Sequence, residues 1–207
     1  MRKHIGWVAG AAAAVLVAGG AITYAVAEDG GSATVPSAGS ADAGFARDMA
    51  VHHQQAVEMA YLVRDRTDDV EVRRLAYDIA QTQANQRGMM LGWLDLWGLP
   101  KVSSEPPMAW MGMGGAASGE DGALMPGMAT NTEMKKLEGL SGKAAEVFFL
   151  QLMTDHHKGG IHMAEGCVAK CTVGVEKRLA QGMVNGQESE IALMKGMLEK
   201  RGAQARS

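Results

Sequence analysis

The chain repeats itself at a fixed distance, and that repeat limits what it can fold into. MAVHHQQAVEMA at residues 49–60 returns as MTDHHKGGIHMA at residues 153–164. Phe45, Met49, His52, His53, Met59 and Ala60 match Phe149, Met153, His156, His157, Met163 and Ala164 at a constant offset of 104. Arg74-Leu75-Ala76 matches Arg178-Leu179-Ala180 at the same offset. Gln83, Met90, Gly92, Leu94 and Gly98 likewise match Gln187, Met194, Gly196, Leu198 and Gly202. Fourteen identities without a gap imply an internal duplication. Two like halves, 42–98 and 142–202, therefore have to share one domain spanning about residues 42–200.

Each half holds two helical stretches. The first runs from about Asp42 to Arg66, and its repeat from about Gly142 to Lys170, with Asp42 and Ser141 as the expected N-caps. The second runs from about Asp69 to Trp97, with Val72, Leu75, Ala76, Ile79, Met90 and Leu94 on one apolar stripe. Leu179, Ala180, Met183, Met194 and Leu198 hold the same places in the repeat. The period is helical, and nothing reads as a strand. Each half thus predicts a helical hairpin with one apolar face. Two such faces bury each other in an all-α four-helix bundle of approximate two-fold symmetry. The connection, residues 99–133, is rich in Gly, Pro, Ser and Met and lacks an apolar period. Such length without secondary structure is unusual inside a compact domain, and it is expected to serve as a long Met- and Gly-rich crossover.

Arg2 and Lys3 precede an apolar run from Ile5 to about Ala27, and Ala25-Val26-Ala27 supplies a small-residue cleavage pattern. Residues 1–27 read as a secretory signal peptide or, since a bilayer needs ~20 apolar residues, as an uncleaved membrane anchor through residues 5–27. Either places the rest outside the cytoplasmic membrane. Residues 28–41 read as a linker. The formal net charge of −3, balanced in sign, gives no nucleic-acid surface. Cys167 and Cys171 are the only cysteines. Their spacing admits a disulfide, free thiols or thiolate metal ligation.

At ~100° per residue, Met153, His156, His157, Gly160, Met163 and Ala164 share one stripe about 120° wide. Cys167 and Cys171 continue it, whereas His162 faces the opposite, solvent side. Met49, His52, His53, Ala56, Met59 and Ala60 repeat the pattern. Pseudo-symmetric packing would bring four imidazoles and four thioethers towards one region. Imidazole suits copper, zinc, iron and nickel, and thioether favours soft Cu(I). Burying four imidazoles without partners is costly, so metal binding explains the doubling better than a structural histidine network does. Gln83, Gln86, Gln187 and Glu190 can orient the imidazoles or lie on the helix surface. The crossover adds Met108, Met111, Met113, Met125 and Met128, among the 16 methionines of the chain. Gly and Pro surround them, so capture of a soft ion is a better account of this cluster than core packing.

Catalytic signatures are missing. Neither the Glu-x-x-His of di-iron bundles nor H-E-x-x-H occurs. The sequence resembles the bacterial domain of unknown function 305, whose pattern is an acid, Phe, Met, His-His, a small residue and Met-Ala, then a helix with Gln, Glu-Ile and Met. DAGFARDMAVHHQQAVEMA at 42–60, LSGKAAEVFFLQLMTDHHKGGIHMA at 140–164 and MVNGQESEIALMKGML at 183–198 carry the likeness. It implies a ferritin-like bundle and, as in some members, extracytoplasmic copper binding and tolerance. The implied ligands are His52, His53, Met59, His156, His157 and Met163. Ala145-Glu146 stands where the second copy usually has Phe-Asp, and Gln86 replaces an acid in the first. The expectation is an extracytoplasmic protein that sequesters or transfers Cu(I) without turnover. A structural or partner-binding bundle comes second, and a copper-dependent redox enzyme third.

Overall fold

A computed structural model describes residues 35–113 and 120–206. The expected signal peptide or anchor, and the linker up to residue 34, lie outside the described residues. Five α-helices and no strand occur among the described residues: α1 (Ala41–Arg64), α2 (Val70–Leu96), α3 (Asn131–Gly139), α4 (Gly142–Lys170) and α5 (Gly174–Lys200). No helix of the described residues is long and apolar enough to cross a membrane.

The four long helices are the two expected hairpins, α1–α2 and α4–α5, with α1 packed on α4. Two apolar clusters give the direction of that packing. Ala43, Phe45, Ala46, Met49 and Ala50 of α1 cluster with Met163, Ala164 and Cys167 of α4. Ala56, Met59, Ala60 and Val63 cluster with Phe149, Leu150, Leu152 and Met153. The early part of α1 therefore meets the late part of α4. The two helices run antiparallel, and the His-His pairs sit where the clusters join.

Helix starts depart from the expected caps. Ser40, not Asp42, caps α1, its Oγ accepting from the Ala43 amide at 3.2 Å. Asp42 lies inside the first turn and reaches across to the other half. Its carboxylate accepts from Thr172 N at 2.8 Å, Val173 N at 2.7 Å and Thr172 Oγ1 at 3.2 Å. Val173 has no side-chain oxygen to cap α5, so Asp42 satisfies amides that the start of a helix leaves open. Ser141 does occupy the N-cap of α4, but its hydroxyl makes no capping bond. Glu146, the counterpart of Asp42, accepts from Thr67 Oγ1 at 2.6 Å and from Arg201 Nε at 2.7 Å. Each half thus uses an acid on its first helix to fix a turn of the other.

The crossover is less open than its composition suggests. α3 begins within it at Asn131, behind a capping box formed by Thr130 and Glu133. Asp48 of α1 accepts from Met108 N at 2.8 Å and from Trp110 Nε1 at 2.9 Å. The Trp110 ring meets Phe45 edge-on at 5.8 Å. Gln55 pairs with both backbone groups of Ala129, at 2.8 and 2.7 Å. The described parts of the crossover are thereby strapped along α1. Gly159 makes room for the strap, because a Cβ there would overlap the Pro126 carbonyl.

Candidate metal centre

His52, His53, His156 and His157 are all buried. The rings of His52 and His156 stack across the α1–α4 contact with centroids 3.8 Å apart. Each of these four imidazoles turns the same nitrogen to a protein oxygen. His53 Nε2 lies 2.8 Å from Gln86 Oε1, and His157 Nε2 lies 2.7 Å from Glu190 Oε2. These two pairs are equivalent at the 104 offset, so Gln86 and Glu190 orient the second histidine of each pair. The first histidines break the symmetry: His156 Nε2 faces the His52 carbonyl at 3.0 Å, and His52 Nε2 faces the Pro126 carbonyl at 3.3 Å.

An oxygen acceptor opposite Nε2 requires Nε2 to carry the proton. Nδ1 then keeps its lone pair. All four Nδ1 atoms are buried and have no hydrogen-bond partner. A buried polar atom left unpaired costs about 1–3 kcal/mol. Four of them cost on the order of 4–12 kcal/mol, comparable with the ~5–15 kcal/mol by which a domain is stable at all. Protonation offers no relief. Burial, reinforced by the charge of neighbouring imidazoles, holds His52 at about 3. Burial likewise lowers His53 to about 4 and holds His156 well below the usual range. His52, His53 and His156 are therefore neutral at physiological pH, the form that binds metal.

Thioethers lie on both sides of this layer. Met49 and Met163 belong to one apolar cluster, and Met59 and Met153 to the other. The crossover methionines all gather on the Met49/Met163 side. Met108 and Met125 are buried there, contrary to the expectation that core packing explains them poorly. The hydrogen bonds of Asp48 and Gln55 pull their segment inwards, which no period in the sequence reveals. Met111, Met113 and Met128 are half-buried against the same cluster. Met113 Sδ reaches His162 Nε2 at 3.5 Å, on the exposed face expected for that histidine.

Gln83 and Gln187 are also buried, and both Gln83 amide atoms and Gln187 Oε1 have no partner. Gly160 admits Gln187, since a Cβ at that position would collide with the amide oxygen. Among the described residues, no three His, Cys, Asp or Glu donor atoms that include a histidine lie within 4.8 Å of one another. The arrangement is therefore not a closed cage of hard ligands. It offers bare imidazole nitrogens on helices that also bury Met49, Met59, Met153 and Met163, residue types that together suit a soft ion.

The group that does meet this distance is Cys167, Cys171 and Glu176, whose acid the helical stripe does not single out. The cysteines form a disulfide, which resolves the three readings left open by their spacing. Cys171 is the C-cap of α4 in extended conformation, so the Cα atoms stand 4.8 Å apart rather than at a helical separation. Glu176 is fully buried, and burial together with the Asp42 carboxylate pushes its carboxyl up to about 9. Its signal is present in the repeat, where Val72 stands at the matching place of the first half.

Paired helical hairpins presenting doubled buried His-His motifs define the class of protein. Residues 42–198 match the domain of unknown function DUF305, and the chain belongs to that family. A crystal structure of a DUF305 protein from Streptomyces coelicolor, named as a candidate secreted protein, is 72% identical with a TM-score of 0.77. The likeness covers 83% of this chain and 99% of that one. A DUF305 fragment from Deinococcus radiodurans is 31% identical with a TM-score of 0.63, over 77% of this chain and 96% of its own. CopM in its Cu(I)-bound form shares the fold at 20% identity and a TM-score of 0.58, over 77% of this chain and 96% of its own. CopM is also known in Cu(II)- and Ag-bound forms. Among proteins of curated function, none matches the chain.

Proposed function

We propose that this protein binds Cu(I) outside the cytoplasmic membrane, to sequester it or pass it on. The observation that carries the reading is the set of four buried Nδ1 atoms without partners, on histidines whose Nε2 atoms are already committed to oxygens. A ligating histidine commonly donates its other ring N–H to a carboxylate or carbonyl, which fixes its tautomer and orientation. His52, His53, His156 and His157, with Met49, Met59, Met153 and Met163, would hold the ion. Met108, Met111, Met113, Met125 and Met128 lie beside one end of that layer and would receive it first. The Cu(I)- and Ag-bound states of CopM support a soft metal for this fold. A disulfide suits an oxidising compartment, in keeping with a signal peptide or anchor at residues 1–27.

A ligand that binds only the folded state raises its stability by RT ln(1 + [L]/Kd). Thermal unfolding with and without buffered Cu(I), under exclusion of oxygen, therefore tests the reading. At free Cu(I) about 100-fold above Kd the gain is about 2.7 kcal/mol, seen as a rise of several degrees in Tm. No rise with the intact protein, at any free Cu(I) up to micromolar, would refute copper binding and leave the histidines structural.

A further inference from the structure

The two halves differ where the duplication would make them alike. Val63, Thr67 and Val72 form part of an ordinary interior in the first half, all three buried. At the 104 offset their places are taken by Cys167, Cys171 and Glu176, equally buried. Three apolar or hydroxyl side chains have thus become three metal-ligating ones, all at a single point. Their donor atoms lie within 4.8 Å of one another. Glu176 is fully buried where the first half carries valine, with the Asp42 carboxylate as its charged neighbour and no other partner for its carboxylate oxygens. Asp42 fixes the turn between Cys171 and Glu176 through Thr172 and Val173. The backbone that follows Cys171 and leads to Glu176 is thus anchored by bonds other than the disulfide.

We propose that Cys167, Cys171 and Glu176 form a redox-gated site for a thiophilic divalent cation of the zinc class, closed as the disulfide and open as the dithiol. Opening takes two electrons and two protons. An external dithiol or phosphine supplies the electrons and is itself oxidised, and the S–S bond is replaced by two S–H groups. Binding of the cation then displaces the two thiol protons and the Glu176 carboxyl proton to solvent. Two thiolates and one carboxylate are a donor set that zinc accepts, with one of its usual four positions left over. This site is separate from the imidazole layer and does not rest on the copper reading.

The test uses the intact protein, reduced anaerobically with a phosphine that is then removed, and titrated with Cd(II) as a zinc-class probe. Thiolate-to-metal charge transfer in the ultraviolet reports sulfur ligation and is blind to ions held by histidine. One equivalent of Cd(II) should develop the band in the reduced protein and none in the oxidised protein. A large excess of Zn(II) should weaken it by competition. Glu176→Gln should keep the band with at least tenfold weaker binding. The double substitution Cys167→Val with Cys171→Thr restores the residues of the first half, so it should fold and show no band. A reduced protein without the band, a disulfide that resists reduction while the protein stays folded, or undiminished affinity in Glu176→Gln would each overturn the proposal.

Discussion

Replacing Glu176 by Gln isolates one buried acid and converts its protonation into a measurable stability. Glu176 titrates near 4.5 in an unfolded chain and at about 9 in the fold. Between those values the folded state keeps a proton that the unfolded state releases, so stability falls as pH rises. The favourable contribution is complete below about pH 4.5 and gone above about pH 9. At about 1.36 kcal/mol per unit, the loss between pH 5 and pH 8 is roughly 4 kcal/mol. The glutamine of Glu176→Gln mimics the neutral carboxyl and has nothing to titrate. Urea denaturation of the oxidised protein and of Glu176→Gln at pH 5, 6, 7 and 8 gives the difference directly. The variant should gain on the wild type steadily, by roughly 4 kcal/mol over the series. The histidines titrate in both proteins and cancel. A difference that stays constant with pH would refute a buried neutral Glu176.

His52, His53 and His156 act with the opposite sign. Their folded pKa values are lowered, so the stability they confer is present above about pH 6.5 and is lost as pH falls towards 4. Metal-free protein should therefore lose urea resistance below pH 6.5, and His53→Gln should flatten that dependence. Gly159→Ala pushes a methyl against the Pro126 carbonyl and should cost about 1–3 kcal/mol in denaturation. Gly88→Ala, with nothing within 4 Å of the new Cβ, should instead stabilise its helix by up to about 1 kcal/mol. Glu190→Ala and Gln86→Ala each remove the partner that orients a histidine. They should weaken Cu(I) binding about 10–100-fold in chelator competition while leaving the fold intact.

The helices and the histidine layer were legible because both depend on period alone. His52 and His53, with Met49 and Met59 around them, keep one face under any helical reading, and the 104 offset supplies the second copy. Orientation beyond that face was partly legible: Gln86 and Glu190 stand 33 residues after His53 and His157 in both halves. What the sequence hides is contact between distant segments. Asp42 has the composition of an N-cap, yet it serves a turn 130 residues away. Met108 sits among Gly and Pro and reads as exposed until Asp48 binds its amide. The choice among Val63, Thr67 and Val72 on one side and Cys167, Cys171 and Glu176 on the other shows only when the halves are aligned beyond their identities.

The central claim is that the doubled histidines, and not the crossover methionines alone, hold the metal. An anaerobic Cu(I) titration against a competing chelator compares three proteins directly. These are the intact chain, a variant with His52, His53, His156 and His157 changed to Gln, and one with Met108, Met111, Met113, Met125 and Met128 changed to Leu. Tight binding that vanishes in the histidine variant and survives, with slower loading, in the methionine variant is the predicted result. Binding unchanged by loss of the four histidines would contradict it.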